Sequence, residues 1–112
     1  MSTRADTALR LLIVDDLVEN AEAIASGLRN AGIAVRPLRP ESDDELGRMI
    51  GSQSPDVVIA ARGSSMLPFP QVMQRVADSG RDLPVIALVD ALEEADYVDA
   101  IQSGARAVAL RH

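Results

Sequence analysis

The chain has 112 residues, of which 47% are hydrophobic and only 2% aromatic, so aliphatic side chains must form most of its core. Its 17 acidic and 11 basic residues give a net charge of −6. Nucleic acid and anionic membranes both require a basic face, and we expect neither as a partner. The chain contains no cysteine, which excludes disulfides and thiolate metal sites.

The sequence shows no signal for membrane insertion or secretion. No apolar run approaches the roughly 20 residues of a membrane-spanning helix. Residues 1–7 are polar and lack the apolar centre of a signal peptide. We therefore expect a cytoplasmic protein, and the length favours a single domain over residues 1–112.

Short apolar runs alternate with helical patterns along the chain. The runs predict five strands, at residues 9–14, 33–38, 57–61, 84–89 and 106–110. Between them, apolar side chains recur every three or four residues and predict four helices, which carry Leu17, Ala21, Ile24 and Leu28; Leu46, Met49 and Ile50; Val72, Met73 and Val76; and Tyr97, Val98 and Ile101.

Several residues mark the expected ends and edges of these elements. Gly32 is a natural stop for the first helix, and Pro37 places the second strand at a sheet edge because proline cannot donate to a ladder. Residues 42–45 have the form of a capping box. Gly47 and Gly51 are expected to interrupt and end the helix that follows.

Alternation of strands and helices predicts an α/β fold with a parallel sheet covered on both faces. In such folds the functional side chains lie at the carboxyl ends of the strands, near the topological switch point. Asp15 and Asp16 follow the first strand, and the later strands end at Ala61, Val89 and Arg111.

Four segments in this order resemble the response-regulator receiver (CheY-like) family, namely residues 13–16, 55–61, 83–89 and 100–111. The resemblance covers the chain from Leu9 to its end. It implies a flavodoxin-like, doubly wound five-stranded sheet of order 2-1-3-4-5, in which residues 33–38 form an edge strand. That position agrees with the independent interpretation of Pro37.

The resemblance also implies a degenerate site. The phosphate-accepting aspartate position is held by Ala61, and the two switch positions by Val89 and Val108. Arg111 stands at the lysine position, and His112 replaces the proline expected next. Only the acidic pair is kept, so we expect no phosphorylation, no standard switch and no enzymatic activity.

The chemistry of phosphoryl transfer explains why Ala61 is decisive. A carboxylate there would attack the phosphoryl group and help to ligate Mg²⁺, and a methyl group does neither. Asp56 cannot replace it, because five residues of strand separate the two positions by about 16 Å.

The sequence allows two interpretations of the acidic pair, Asp15 and Asp16. Asp15 and Asp16 could form a residual Mg²⁺ site, although the third carboxylate is absent. The other reading makes them a loop feature, with Asp16 accepting from backbone N–H groups at the start of the first helix. No cofactor is expected, and no metal beyond this weak possibility.

Three further features keep alternatives open. Residues 62–65 resemble a weak anion-binding loop or form a turn. Arg36 and Arg39 with Arg111 form either a basic patch or solvated surface. The aromatic residues Phe69 and Tyr97 are equally interface candidates and core residues.

Receivers normally end with a fifth helix, and this chain stops at His112, before it. The chain is therefore expected to be an N-terminal fragment of a longer multidomain protein. Without that helix, strands one, three and five would expose an apolar patch of several hundred Å² on one face, a size typical of interaction surfaces. We expect self-association or protein docking there.

A narrower resemblance joins residues 10–14, 28–32 and 58–61 to the degenerate N-terminal receiver of FimX-type proteins. That resemblance implies linked GGDEF and EAL domains, cyclic di-GMP signalling and type IV pilus (twitching) motility, with this domain serving in dimerisation or docking. Two alternatives remain: a receiver that responds to Mg²⁺ or an anion through Asp15, Asp16 and Arg111, and a phosphatase-like enzyme that uses Asp15 as nucleophile.

Overall fold

A computed structural model describes residues 8–89, 98–99, 101–102 and 104–110. All five predicted strands are present and form one parallel sheet of order β2-β1-β3-β4-β5. This confirms the 2-1-3-4-5 arrangement. The elements are β1 (Leu9–Val14), α1 (Val18–Asn30), β2 (Val35–Leu38), α2 (Asp43–Ser52), β3 (Val57–Ala61), α3 (Phe69–Asp78), β4 (Val85–Val89) and β5 (Ala107–Leu110).

The central strands are buried because both faces of the sheet carry packed side chains. A main core cluster fills the face covered by α2 and α3, and it includes Leu12, Val58, Leu46 and Val72. A second, smaller cluster lies under α1 and includes Leu11 and Ile13. The alternation of neighbouring residues between the two clusters is the period of two expected for strands.

Within the part of the chain that the structure describes, cover on the α1 face is incomplete. Five apolar side chains on this face of the last three strands form what we call the open strip, which consists of Val57, Ile59, Ile86, Ala107 and Ala109. Exposure increases along it from buried Ile59 to exposed Ala107. On the opposite face Val58, Val85 and Ala87 are all at most 1% exposed.

The expectation that the first strand would share this exposure is wrong. Leu11 is 1% exposed and Ile13 is fully buried. Helix α1 lies over them with Ala21 buried and with Ile24 and Leu28 packed against the same cluster. The open strip is therefore confined to β3, β4 and β5.

The connection from α1 to β2 is longer than expected. Leu17 precedes the helix and is 52% exposed, so it is not a core residue. Gly32 follows the helix with φ of 88°, a left-handed conformation that favours glycine. Its N–H donates to the carbonyl of Arg29. The predicted strand begins two residues later than expected, at Val35, and Ile33 is exposed.

The edge position of β2 is confirmed, since it pairs only with β1. Pro37 lies in the register opposite Leu11 and presents no N–H. The guanidinium of Arg29 donates to the carbonyl oxygen of Val35 at 3.4 Å. Both features reduce the unpaired groups with which another strand could pair.

Helix α2 begins as predicted and continues further than predicted. The Ser42 hydroxyl accepts from the Glu45 N–H at 3.1 Å, while the Glu45 carboxylate reaches the N–H of Glu41. Gly47 does not interrupt the helix, which runs through Gly51 to Ser52. A side chain at Gly47 would place its Cβ 3.2 Å from Nη1 of Arg75, so the glycine leaves room for that guanidinium.

The remaining elements agree with the sequence pattern. Helix α3 begins at Phe69 with Pro70 in its first turn. Residues 98–99 and 101–102 are helical, and Gly104 precedes β5 with φ of 106°. The expected helix start at Asp90 and Glu93, Tyr97, Arg111 and His112 lie outside the described residues. No helix in the described residues is long and apolar enough to cross a membrane.

Candidate functional site

The carboxyl ends of the central strands bring the predicted site positions to one edge of the sheet. Val14 is in register with Ala60, so Asp15 follows β1 beside Ala61 on the neighbouring strand, about 4.8 Å away in strand spacing. Ala61 is in turn in register with Leu88, the residue before Val89. The acidic pair and the expected phosphate-accepting position therefore lie together.

Ala61 is an apolar, enclosed position. Its side chain is 1% exposed and belongs to the second cluster, with Ile59 and Leu88. Val89, at the end of β4, is 5% exposed. Neither residue carries a nucleophile, a proton-transfer group or a metal ligand. Val108, the other expected switch position, packs against the main core cluster.

Asp15 supports the start of α1. Its Oδ1 accepts from the N–H of Leu17 at 3.0 Å and from the side-chain amide of Asn20 at 3.2 Å. The side chain is 3% exposed. Leu17 has no side-chain oxygen with which to cap the helix, so the carboxylate of Asp15 supplies an acceptor there.

Asp16 has a different role from the one predicted. Its carboxylate points to the loop after β3, where Oδ1 accepts from Ser64 Oγ and Met66 N–H, each at 3.0 Å. Oδ2 accepts from the N–H of Ser65 at 2.8 Å and from Ser65 Oγ at 2.9 Å. The prediction that Asp16 caps α1 is therefore wrong, because β1 and β3 bring a loop with four donors next to it.

These contacts change the electrostatics of Asp16. The backbone hydrogen bonds from Ser65 and Met66, followed by the side-chain bond from Ser65, hold the pKa of its carboxyl well below the ordinary value. Each oxygen already accepts two hydrogen bonds. A cation at this carboxylate would have to displace some of them, and no group of three potential metal ligands occurs in the described part of the chain.

Arg39 binds the loop between β1 and α1, whereas the sequence analysis assigned it to either a basic patch or solvated surface. Its Nε donates to the carbonyl of Asp15 at 3.1 Å and its Nη2 to the carbonyl of Asp16 at 2.8 Å. Nη1 pairs with Glu41. The guanidinium is thus committed to the loop, while Arg36 is exposed.

The loop after β3 is a turn rather than an anion cradle. The N–H of Ser64 donates to the carbonyl of Ala61 at 3.2 Å. The hydroxyls of Ser64 and Ser65 both donate to the carboxylate of Asp16. The only sequence signal for this arrangement was the pair of small donors just after a strand end. Phe69 proves to be a core residue, 3% exposed.

Replacing Asp16 with asparagine should lower the free energy of unfolding by about 1–3 kcal/mol at pH 7, because one amide oxygen cannot serve four donors and the charge is lost. The folded-state pKa is depressed, so this stabilisation is present above the ordinary value of 3.8 and is lost as the pH falls from there. Denaturant unfolding at pH 7 and at pH 3 should show the difference from wild type shrinking in acid. Asp82→Asn, at a side chain 98% exposed, is the matched control and should change little.

Comparison with known proteins gives evidence on the fold. Neither family models nor curated protein sequences match the chain. Solved structures do, including the NarL signal receiver domain of Mycobacterium tuberculosis, with 21% identity and a TM-score of 0.76 over 93% of this chain and 84% of that one.

Two further structures have a similar likeness. A signal receiver domain of a DNA-binding response regulator from Colwellia psychrerythraea has 20% identity and a TM-score of 0.75, covering 91% of this chain and 85% of its own. A Francisella response-regulator receiver domain has 18% identity and a TM-score of 0.74, with coverage of 91% and 83%. Identities this low bear on architecture, which is unambiguous: the chain has the receiver-domain fold of response regulators.

Proposed function

We propose that this chain is a signalling module of receiver fold that accepts no phosphoryl group and acts by binding protein partners. The observation that carries the proposal is the buried methyl group of Ala61 at the end of β3. Phosphoryl transfer to a protein carboxylate requires a nucleophilic oxygen at the site. Val89, at the end of the neighbouring strand, has no hydroxyl group that could contact a phosphoryl group.

The acidic pair supports the same reading. Asp15 is engaged with the start of α1, and Asp16 with the loop after β3. Asp15 joins β1 to the helix that follows it, and Asp16 joins β1 to a loop almost fifty residues further along the chain. Both carboxylates therefore have a structural role independent of any cation. The alternative of a Mg²⁺-responsive receiver requires Asp16 to exchange its present donors for the metal.

The test is a titration of the chain with Mg²⁺ and then beryllium fluoride, followed by amide NMR. We expect the resonances of Asp15, Asp16 and Ala61 to stay in place at millimolar Mg²⁺. Intact mass after incubation with acetyl phosphate should show no phosphoryl adduct. A saturable shift of these three amides, or an adduct, would contradict the proposal.

The open strip supports a binding role. Its five apolar side chains lie together on the α1 face because they occupy paired positions of adjacent strands, such as Ile59 with Ile86 and Ile86 with Ala107. Three of the five are half-buried and Ala107 is exposed, and contiguous apolar surface that solvent reaches is typical of protein interaction sites. We propose that a second copy of the chain covers this strip, so that the module dimerises.

We further propose that the module belongs to a multidomain cyclic di-GMP signalling protein connected with type IV pilus motility. The short segments that resemble FimX-type receivers support this assignment. In that setting linked output domains, not this domain, would bind the dinucleotide. Calorimetric titration of the chain with cyclic di-GMP should therefore give no heat of binding.

A further inference from the structure

Arg62 is the first residue after β3, and its position is fixed from two sides. Its N–H donates to the carbonyl of Leu88 at 2.9 Å, which ties its backbone to β4. Its guanidinium carbon lies 5.4 Å from the centre of the Phe69 ring. Since Phe69 belongs to the main core cluster, the cation rests on a rigid aromatic surface.

The same guanidinium contacts a segment far along the chain. Nη1 of Arg62 lies 2.8 Å from Oδ2 of Asp99. The two oppositely charged groups form an ion pair. Asp99 belongs to what we call the helical segment, residues 98–99 and 101–102. The arginine side chain is 24% exposed and the aspartate 62% exposed.

We propose that Arg62 is a constitutive latch that holds the helical segment against the carboxyl end of β3. A guanidinium stays charged at every physiological pH, so the contact needs no ligand and no modification. It connects the residue next to Ala61 with the segment that presents Val98 and Ile101, both exposed. The latch thus keeps the helical segment in one position without any phosphorylation at the adjacent end of β3.

A second ion pair, between residues that precede β4 and β5, shows why Arg62 is distinctive. Arg106 contacts Asp82 at 3.3 Å, but these side chains are 63% and 98% exposed. Water screens such a pair, and pairs of this kind contribute little. Arg62 differs because one face of its guanidinium is covered by an aromatic ring and Nη1 is buried.

The test is amide hydrogen exchange of the helical segment, measured by NMR and expressed as protection factors. We expect Asp99→Asn and Arg62→Gln each to lower protection at Val98, Asp99 and Ile101 about fivefold, because the segment opens locally more often. Protection in β1 should stay constant. Arg106→Gln is the matched control and should leave the helical segment unchanged.

A charge exchange distinguishes the ion pair from simple loss of a side chain. The double variant Arg62→Asp with Asp99→Arg should recover protection relative to Arg62→Asp alone. Asp99→Asn alters only an exposed carboxylate and keeps the fold intact even if changes at Arg62 do not. Unchanged protection in Asp99→Asn would overturn the proposal, and that result would not bear on whether the chain accepts phosphate.

Discussion

Ala61→Asp is expected to lower the free energy of unfolding by about 2–4 kcal/mol at pH 7 in Mg²⁺-free buffer, since it buries a charge without a partner. The position is 1% exposed and belongs to an apolar cluster. The new carboxylate would also lie beside Asp15 and Asp16, and like charges at this distance repel. Equilibrium unfolding in urea measures the change.

The response of this variant to Mg²⁺ is the second part of the result. Three neighbouring carboxylates attract a divalent cation, and a ligand that binds only the folded state raises stability. We expect millimolar Mg²⁺ to raise the melting temperature of Ala61→Asp and to leave the wild type unchanged. Ala61→Asn is the matched control, because it adds the same polar bulk without charge and should show no response.

Acid provides an independent check. Burial and the adjacent carboxylates raise the pKa of the introduced carboxyl. A raised folded-state pKa means that the destabilisation is largest above that pKa and falls as the pH is lowered and the group becomes neutral. Equal stability of Ala61→Asp and wild type at pH 7 would show that the end of β3 is not the enclosed, acidic-flanked site described above.

Ala107→Glu is expected to weaken self-association on the order of 100-fold, because a second copy seated on the open strip would bury the new carboxylate at its exposed end on β5. Ala107 is exposed in the isolated chain, so the glutamate should cost the monomer little. Sedimentation velocity over a concentration series gives the dissociation constants. The wild type should shift from monomer to dimer as its concentration rises.

The control must reproduce the added charge, since the chain already carries −6 and copies repel one another. Ile33→Glu adds the same charge at an exposed apolar residue remote from the open strip, between α1 and β2. It should change association only slightly, and added salt should strengthen the wild-type dimer by screening the repulsion. A wild type that stays monomeric at high concentration, or equal effects of the two substitutions, would rule out the open strip as the dimer surface.

The fold could be predicted from the sequence because its signals are local. The apolar run of β1 indicates a strand buried on both faces, and Pro37 indicates an edge. The capping box at Ser42 depends only on neighbours within one turn. The errors also have local causes. Gly47 was expected to interrupt α2, yet packing against Arg75 from another helix outweighs its low helix propensity.

The candidate site was predictable only in part. The residues that meet at the sheet edge follow from the order of parallel strands, so Asp15, Asp16 and Ala61 could be grouped without a structure. Their hydrogen-bond partners could not. Asp16 was assigned to α1, which follows it directly, but its carboxylate turns to donors on the loop after β3.

By itself, then, the sequence determined the element order, the strand positions and the absence of a carboxylate at Ala61. The tertiary structure decided which groups satisfy Asp16, why Arg39 is withdrawn from solvent and where Arg62 finds its partner. The physical reason is the range of each interaction. Apolar periodicity and caps act within one or two turns, whereas polar pairing depends on strand register, which places residues almost fifty positions apart in contact.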